Sequence, residues 1–471
     1  MHIINKAMKL FYFLFTTLLL VNTMLNAEGP TDWVVGTQYN KGKIVEYNNN
    51  FYKAIQDVPS SVGGTPDTLT DYWVDIFSTM PDTEPGDPPN TEGPGSDSNF
   101  SNLTPPEDSI ELDNTARLVN ISTRGYVGTA ANQELVGGFV LKGTPGGTKT
   151  ILVKGVAQYM VGADGLTNSD LLDNPKLQLQ DAFGKIVALN NDWQTTLDLS
   201  SVADVNKSIF ATSYSSSKLQ ESNYDAYRNE LNNQTSAAAM LITVPLLTSQ
   251  QAADLFGNAA YAGYNLFTAV VSSESGNVGV AQVAIEDLNR SGNYSSTAKL
   301  VNISTRGYIG SDSKHKLVGG FVLLGESGKA KKLLAKGSAQ YMVGADGLTT
   351  SDLLQDPQLK LQDIVANVVS RNDNWVVSAN LDSSDTSSVF NTTYDVNGLS
   401  GSDYDLYRNE LNNRANASAM LINLPMMTGD QAQSLAGNSA YAGYALYTAI
   451  VSGSDSDVGV AQVTIEDLDR D

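Results

Sequence analysis

The sequence predicts an all-β protein: a small three-stranded β module, a linker, and two tandem antiparallel β-sandwich domains, each with a short helical insert. Three observations predict it. Short runs rich in Val, Ile, Leu and Thr are separated by Gly, Asn, Asp and Pro. A block of domain size occurs twice. A segment rich in Pro, Gly, Ser and acidic residues divides that pair from a short aromatic-rich stretch.

The first residues read MHIINKAMKLFYFLFTTLLLVNTMLNAEG. Lys6 and Lys9 precede an apolar run from Leu10 to Leu25, and the small Ala27 stands before Glu28. This is the pattern of a secretory signal peptide over residues 1–27, with cleavage after Ala27. No second long apolar run follows, so membrane contact is expected only through that segment. The remainder divides into a module at 28–77, a linker at 78–113, and repeats at 114–291 and 292–471. The expected location is secreted, extracellular or at the cell surface.

Charge narrows the partners. With 51 acidic and 29 basic residues the net charge is −22, which argues against nucleic acid, whose binding needs basic surface. There is no Cys, which removes disulfides, thiol catalysis and zinc–thiolate sites.

The two repeats correspond closely. ARLVNISTRGYVG at Ala116 returns as AKLVNISTRGYIG at Ala298, LVGGFVL at Leu135 and Leu317, and AQYMVGADGLT at Ala157 and Ala339. Strands are expected at 118–123, 135–141, 150–156, 177–181, 185–189, 264–271 and 278–285. Thr248 and Thr428 each stand three residues before a Gln, which fits a capping box opening a helix, and YDAYRNELNN suggests a second short helix. LVNISTRG, LVGGFVL and the run up to Asn-Asp-Trp together resemble a β-rich repeat of secreted bacterial proteins. That resemblance implies a β-rich fold attached to secreted enzymes or surface proteins, and implies no chemistry. Here GVAQYM and GSAQYM stand where the family carries Gly-Pro-Ser-Leu.

In the first module, Trp33, Gly36, Tyr39, Gly42, Val45, Tyr47 and Tyr52 recur at short intervals, and Tyr72-Trp73 follows a Gly63-Gly64-Thr65-Pro66 turn. Asn48-Asn49-Asn50 fits a hairpin turn. A domain this small needs an economical core, and aromatics supply large buried area per residue. The pattern resembles the small chitin-binding modules of carbohydrate-binding families five and twelve. The resemblance implies a polysaccharide partner such as chitin, because an exposed aromatic face packs against the apolar C–H face of a pyranose. The candidate contact residues are Tyr72, Trp73, Tyr47, Tyr52 and Trp33. Trp33, Tyr39, Val45 and Trp73 also suit the core, and Tyr72 is the best single candidate for an exposed platform. Gly64 stands where many members carry a stacking Trp.

Catalysis has little to work with. His2 lies in the signal segment and His315 stands alone in SDSKHK, so a Ser–His–Asp arrangement is not formed by the sequence. Paired carboxylates, as in hydrolysis of O-glycosyl bonds, remain open, but Asp164/Asp346, Asp170/Asp352 and Asp181/Asp363 read as turn residues. The same turns raise calcium as an alternative to no cofactor: Asp164, Asp170 and Asp173 in GADGLTNSDLLDN, with Asp346, Asp352 and Asp356 in the second repeat, are hard oxygen ligands. The expected function is attachment of a secreted, non-catalytic protein to a chitin-like polysaccharide, with the repeats as spacer or adhesive surface. The alternatives are an extracellular protein that acts on polysaccharide and a structural surface or matrix protein.

Overall fold

The computed structural model describes residues 31–75, apart from 41–43, 48–49, 55, 67 and 70, and residues 111–468, apart from 114, 196–198, 200–201, 204–205, 209, 211–212, 215–230, 232–236, 257, 289–297, 344–346, 376–384, 386–387, 389–392, 395–416 and 454–456. They divide into two compact units, the second beginning at Leu112.

The small unit is a four-stranded sheet in sequence order: β1 (Thr31–Asp32), β2 (Ile44–Tyr47), β3 (Asn50–Ala54) and β4 (Trp73–Asp75). The three predicted strands are β2 to β4, which pair antiparallel, and the two-residue β1 adds in parallel to β2. Tyr39, Val45, Ala54, Val58 and Trp73 form its core.

In the large unit the first repeat supplies β5 (Arg117–Val127), β6 (Leu135–Lys142), β7 (Thr148–Val156), β8 (Pro175–Asp181), β9 (Ile186–Asn190), β10 (Ser213–Tyr214), β11 (Ala238–Pro245), β12 (Tyr264–Ser273) and β13 (Gly279–Asp287). The second supplies their equivalents: β14 (Lys299–Ile309), β15 (Leu317–Leu324), β16 (Ala330–Ser338), β17 (Pro357–Asp363), β18 (Val368–Asn372), β19 (Thr393–Tyr394), β20 (Ser418–Pro425), β21 (Tyr444–Gly453) and β22 (Gly459–Asp467). Helices α1 (Ser249–Phe256) and α2 (Gly429–Ala436) open on the predicted capping boxes. Thr248 Oγ1 accepts from the Gln251 amide at 3.1 Å, and Gln251 Oε1 from the Thr248 amide at 3.0 Å. The suggested helix at YDAYRNELNN lies, Leu231 apart, outside the described residues.

Strand pairing does not stop at the repeat boundary. One layer runs β10-β11-β7-β13-β5 and continues through β15-β21-β17-β18 of the other repeat. The second layer runs β19-β20-β16-β22-β14 and continues through β6-β12-β8-β9. Each layer is half of one sandwich extended by half of the other. The two tandem sandwiches are therefore fused side by side around one hydrophobic core that draws on both repeats.

Equivalent residues meet along the fusion line. Leu118 pairs with Leu300 and Tyr126 with Tyr308 in parallel between β5 and β14. Between them Thr123 Oγ1 and Thr305 Oγ1 share a hydrogen bond of 2.9 Å at full burial. Contact of each residue with its own equivalent marks a two-fold axis running along these strands, the arrangement of an isologous dimer. Gly125 and Gly307 ease the close approach: a Cβ on Gly125 would lie 3.2 Å from Leu317 Cδ1 of the other repeat, and one on Gly307 3.3 Å from Leu135 Cδ1.

Burial follows position in the layers. PKLQLQD in β8 and PQLKLQD in β17 alternate between buried and half-buried, one face in and one face out. β13 and β22 near the middle are buried at every residue. This buried zone holds Lys–carboxylate pairs: Lys149–Asp287 at 2.7 Å, Lys154–Glu286 at 2.6 Å, Lys331–Asp467 at 2.9 Å, and Lys336–Glu466. Burial drives the Lys149 amine below its usual range, opposed by Asp287.

Removing one partner of such a pair strands a buried charge. Lys154→Met is expected to cost about 3–5 kcal/mol in denaturant unfolding, and Lys154→Met with Glu286→Leu to recover most of it. A double variant no better than the single one contradicts this account of the buried polar zone.

Candidate functional site

The aromatic module sorts its rings by depth. Trp73 starts β4 and is 2% exposed, meeting Tyr39 edge-on with centroids 5.2 Å apart. Tyr39 is fixed in turn: its hydroxyl accepts from the Val34 amide at 2.8 Å, and its backbone exchanges bonds of 2.9 and 2.7 Å with Val58. Trp73 therefore offers no ring face to a sugar, a correction to its place among the contact candidates. Trp33 and Tyr72 are half-buried and pack on the rim of the same core, with Val62 and Leu69. Val34 and Val35 beside Trp33 are exposed. Tyr47 and Tyr52 lie on β2 and β3, and their side chains fall outside the described residues.

A short turn sets Tyr72. The Leu69 amide donates to the Thr65 carbonyl at 3.0 Å, and the Tyr72 amide to the Leu69 carbonyl at 2.9 Å. The turn also explains the missing stacking Trp. Gly64 has φ of +136°, and a Cβ there would lie 2.9 Å from Leu69 Cγ. Leu69 occupies the space that a side chain at position 64 would need, and the backbone there suits glycine alone.

The acidic turns resolve differently from the calcium expectation. Asp164 pairs with Arg124 of β5. Asp170 Oδ2 accepts from the Thr167 amide at 2.8 Å and hydroxyl at 2.6 Å, and from Lys314 Nζ of the second repeat at 2.9 Å. Asp352 accepts from the Thr349 amide at 2.8 Å and from its hydroxyl, and Asn132 of the first repeat approaches at 3.4 Å. Asp173 is exposed, and Asp346 lies outside the described residues. Among the described residues no three acidic or histidine side chains converge to hold a metal. Asp164, Asp170 and Asp352 thus serve as turn caps or ion-pair partners, and Asp173 stands at the surface. Asp170 lies far below the ordinary carboxylate range because of Thr167 and then Lys314, and Asp352 is lowered by Thr349.

Other repeated acids are also engaged. Asp181 accepts from the Phe183 and Lys185 amides at 2.9 and 3.0 Å and from Ser208 Oγ at 2.6 Å. Asp363 holds the equivalent turn through Val365, Asn367 and Ser388. The Asn-Asp-Trp corner joins strands: Asn190 Nδ2 donates to the Asp192 carbonyl at 2.9 Å, its Oδ1 accepts from the Ala239 amide at 3.0 Å, and Trp193 is buried.

Two features escaped sequence reasoning. Leu112 and Asp113, assigned to the linker, belong to the folded unit, where the Asp113 amide donates to the Ala330 carbonyl at 2.8 Å. The Asp113 carboxylate accepts from the Thr115 amide at 2.8 Å and hydroxyl at 2.6 Å, the Ala116 amide at 3.2 Å and the Glu326 amide at 2.6 Å. Burial raises this group, but those donors outweigh it and hold the carboxyl below its usual range. The second is Arg124, whose recurrence as Arg306 was the available signal.

No family model and no curated protein matches the chain. Among solved structures, a chain from the Sputnik virophage, determined by cryo-EM at 3.5 Å, aligns at 10% identity over 80% of this chain and 90% of that one, with a TM-score of 0.12. A superposition so poor carries no argument about fold or function. Among the described residues no helix is long and apolar enough to cross a membrane.

Two outcomes follow. A carboxyl held low in the fold stabilises above its unfolded pKa of about 4 and loses that contribution as pH falls through the folded value. Stability of the large unit should therefore fall below about pH 4, and Asp113→Ala should cost about 1–3 kcal/mol at neutral pH by leaving its donors unmet. An unchanged denaturation midpoint in that variant contradicts the assignment. Calcium in excess should leave the melting temperature where chelator leaves it, whereas a native-state site would raise it.

Proposed function

We propose that the protein is a secreted, non-catalytic attachment protein whose small unit holds a chitin-like polysaccharide while the fused repeats act as a spacer. One observation carries this reading. The small unit keeps Trp73 and Tyr39 for its core but leaves Trp33 and Tyr72 half-exposed on the rim. An economical core has no need of rim aromatics, and an amphipathic ring at a surface is suited to the C–H face of a sugar. Tyr72 is the principal platform and Trp33 the second. Gly64 contributes no stacking ring, so the contact area is smaller than in modules with a Trp there. Binding accordingly depends on a polymer whose repeating units offer many equivalent footholds. The Pro-, Gly- and Ser-rich segment at 78–111 supports the reading, because such composition gives reach between a surface and the rest of the chain.

The test is recovery on insoluble chitin of the mature chain, with and without residues 28–77, alongside Tyr72→Ala and Trp73→Ala. Recovery should be lost without the module and reduced roughly tenfold by Tyr72→Ala, the equivalent of one ring contact of about 1.4 kcal/mol. Trp73→Ala should unfold the small unit. Equal recovery with and without the module overturns the proposal.

A further inference from the structure

The fusion of the repeats has a consequence for whole chains. β5 and β14 have nearly the same sequence, RLVNISTRGYV and KLVNISTRGYI, as do β6 and β15, LVGGFVLK and LVGGFVLL. β5 pairs with β15 from Arg117↔Leu324 through Val318↔Arg124, and β14 pairs with β6 at the matching positions Lys299↔Lys142 and Leu300↔Leu141. The two halves of the fusion line are therefore one interface used twice, related by the two-fold axis between Thr123 and Thr305. Such an interface is self-complementary, and nothing in it distinguishes a repeat of the same chain from a repeat of another.

The chain adds only a tether. The 288–298 connection joins β13 to β14 and makes the partner repeat local. Its advantage is an effective concentration, which a sufficiently high concentration of other chains can match. We propose that the fusion line is an association surface for a second copy of this chain, through which the second repeat of one molecule pairs with the first repeat of another. Two chains exchanging both repeats close into a dimer. A chain exchanging one repeat at each end continues into an array. The closed dimer keeps the junction strand pairing of two single chains, and an array gives it up only at its two terminal repeats, so exchange is limited chiefly by the opening of the junction. Each added chain brings another small unit, so arrays raise the number of surface contacts; that part rests on the attachment reading, and the pairing itself does not.

The absence of Cys makes a direct test available. Arg117 and Leu324 face each other at the half-buried end of the β5–β15 pair, so Cys residues placed there lie within reach of a disulfide. Arg117→Cys is placed in one full-length chain and Leu324→Cys in another. The two are unfolded together, refolded at a series of protein concentrations, oxidised, and sized by light scattering. A disulfide-linked dimer of twice the chain mass should appear and rise with concentration, and should be absent when either variant is refolded alone. A single chain carrying both substitutions, refolded dilute, should form the bond internally. Monomers at every concentration, dimers without the linkage, or failure of the doubly substituted chain to cross-link each overturn the proposal. The chitin experiment is unaffected by any of these outcomes.

Discussion

The large unit depends on what happens at β5, β6, β14 and β15. In an isolated repeat each of these strands would close its half-sheet with a row of backbone N–H and C=O groups facing outward, the exposed edge that β proteins must cover or blunt. Here each edge is satisfied by its counterpart in the other repeat. The outer strands that remain, β9, β10, β18 and β19, are short. A second apolar cluster covers the outer side of the middle strands, with Trp193 and Leu231 on Leu152, Val156, Ala239 and Leu241 in one repeat and Trp375 on Leu334, Ala419 and Leu421 in the other; β13 and β22 are buried throughout while β8 and β17 alternate. Gly125, Gly307 and the Thr123–Thr305 bond are the local means by which the layers come close enough at the centre.

Burial on both faces explains the polar chemistry of the interior. Charged groups on a sheet that is covered from both sides must be paired, and each Lys of β7 and β16 at these positions has a carboxylate on β13 or β22. Asp170 and Asp352, which the sequence offers as metal ligands, serve the same economy at the surface, holding turns through amides and hydroxyls. The loops carrying them also lock the repeats together, since Lys314 of one reaches Asp170 of the other.

Much of this was legible in the sequence. The short apolar runs between turn residues, the duplicated blocks and the Thr-x-x-Gln caps lead directly to strands and helices that the structure contains. β11 and β20 were missed because AAMLITVP and SAMLINLP are continuous apolar runs, without the alternation of a half-exposed strand. The fusion was hidden for a different reason: β5 has the same partner sequence whether it pairs with its own β6 or with β15, so no pattern distinguishes the two. In the acidic turns, Thr167-Asn168-Ser169-Asp170 carries the Thr-x-x-Asp spacing of a cap, and the structure forms that cap. In the small unit, spacing identified the aromatics but not their depth. Trp73 and Tyr72 are neighbours in sequence, but Trp73 begins β4 and enters the core while Tyr72 ends the preceding turn and stays at the rim.

Amide hydrogen exchange across the junction is the most direct measurement of the central claim, that the repeats form one body by pairing edge to edge. The amides of Ile121 to Arg124 in β5 and Val318 to Phe321 in β15 should be protected to the level of β13 and β22, and should exchange only with opening of the whole unit. Exchange in β5, β6, β14 and β15 at the rate of a free edge, with β13 and β22 still protected, would mean that the repeats stand apart.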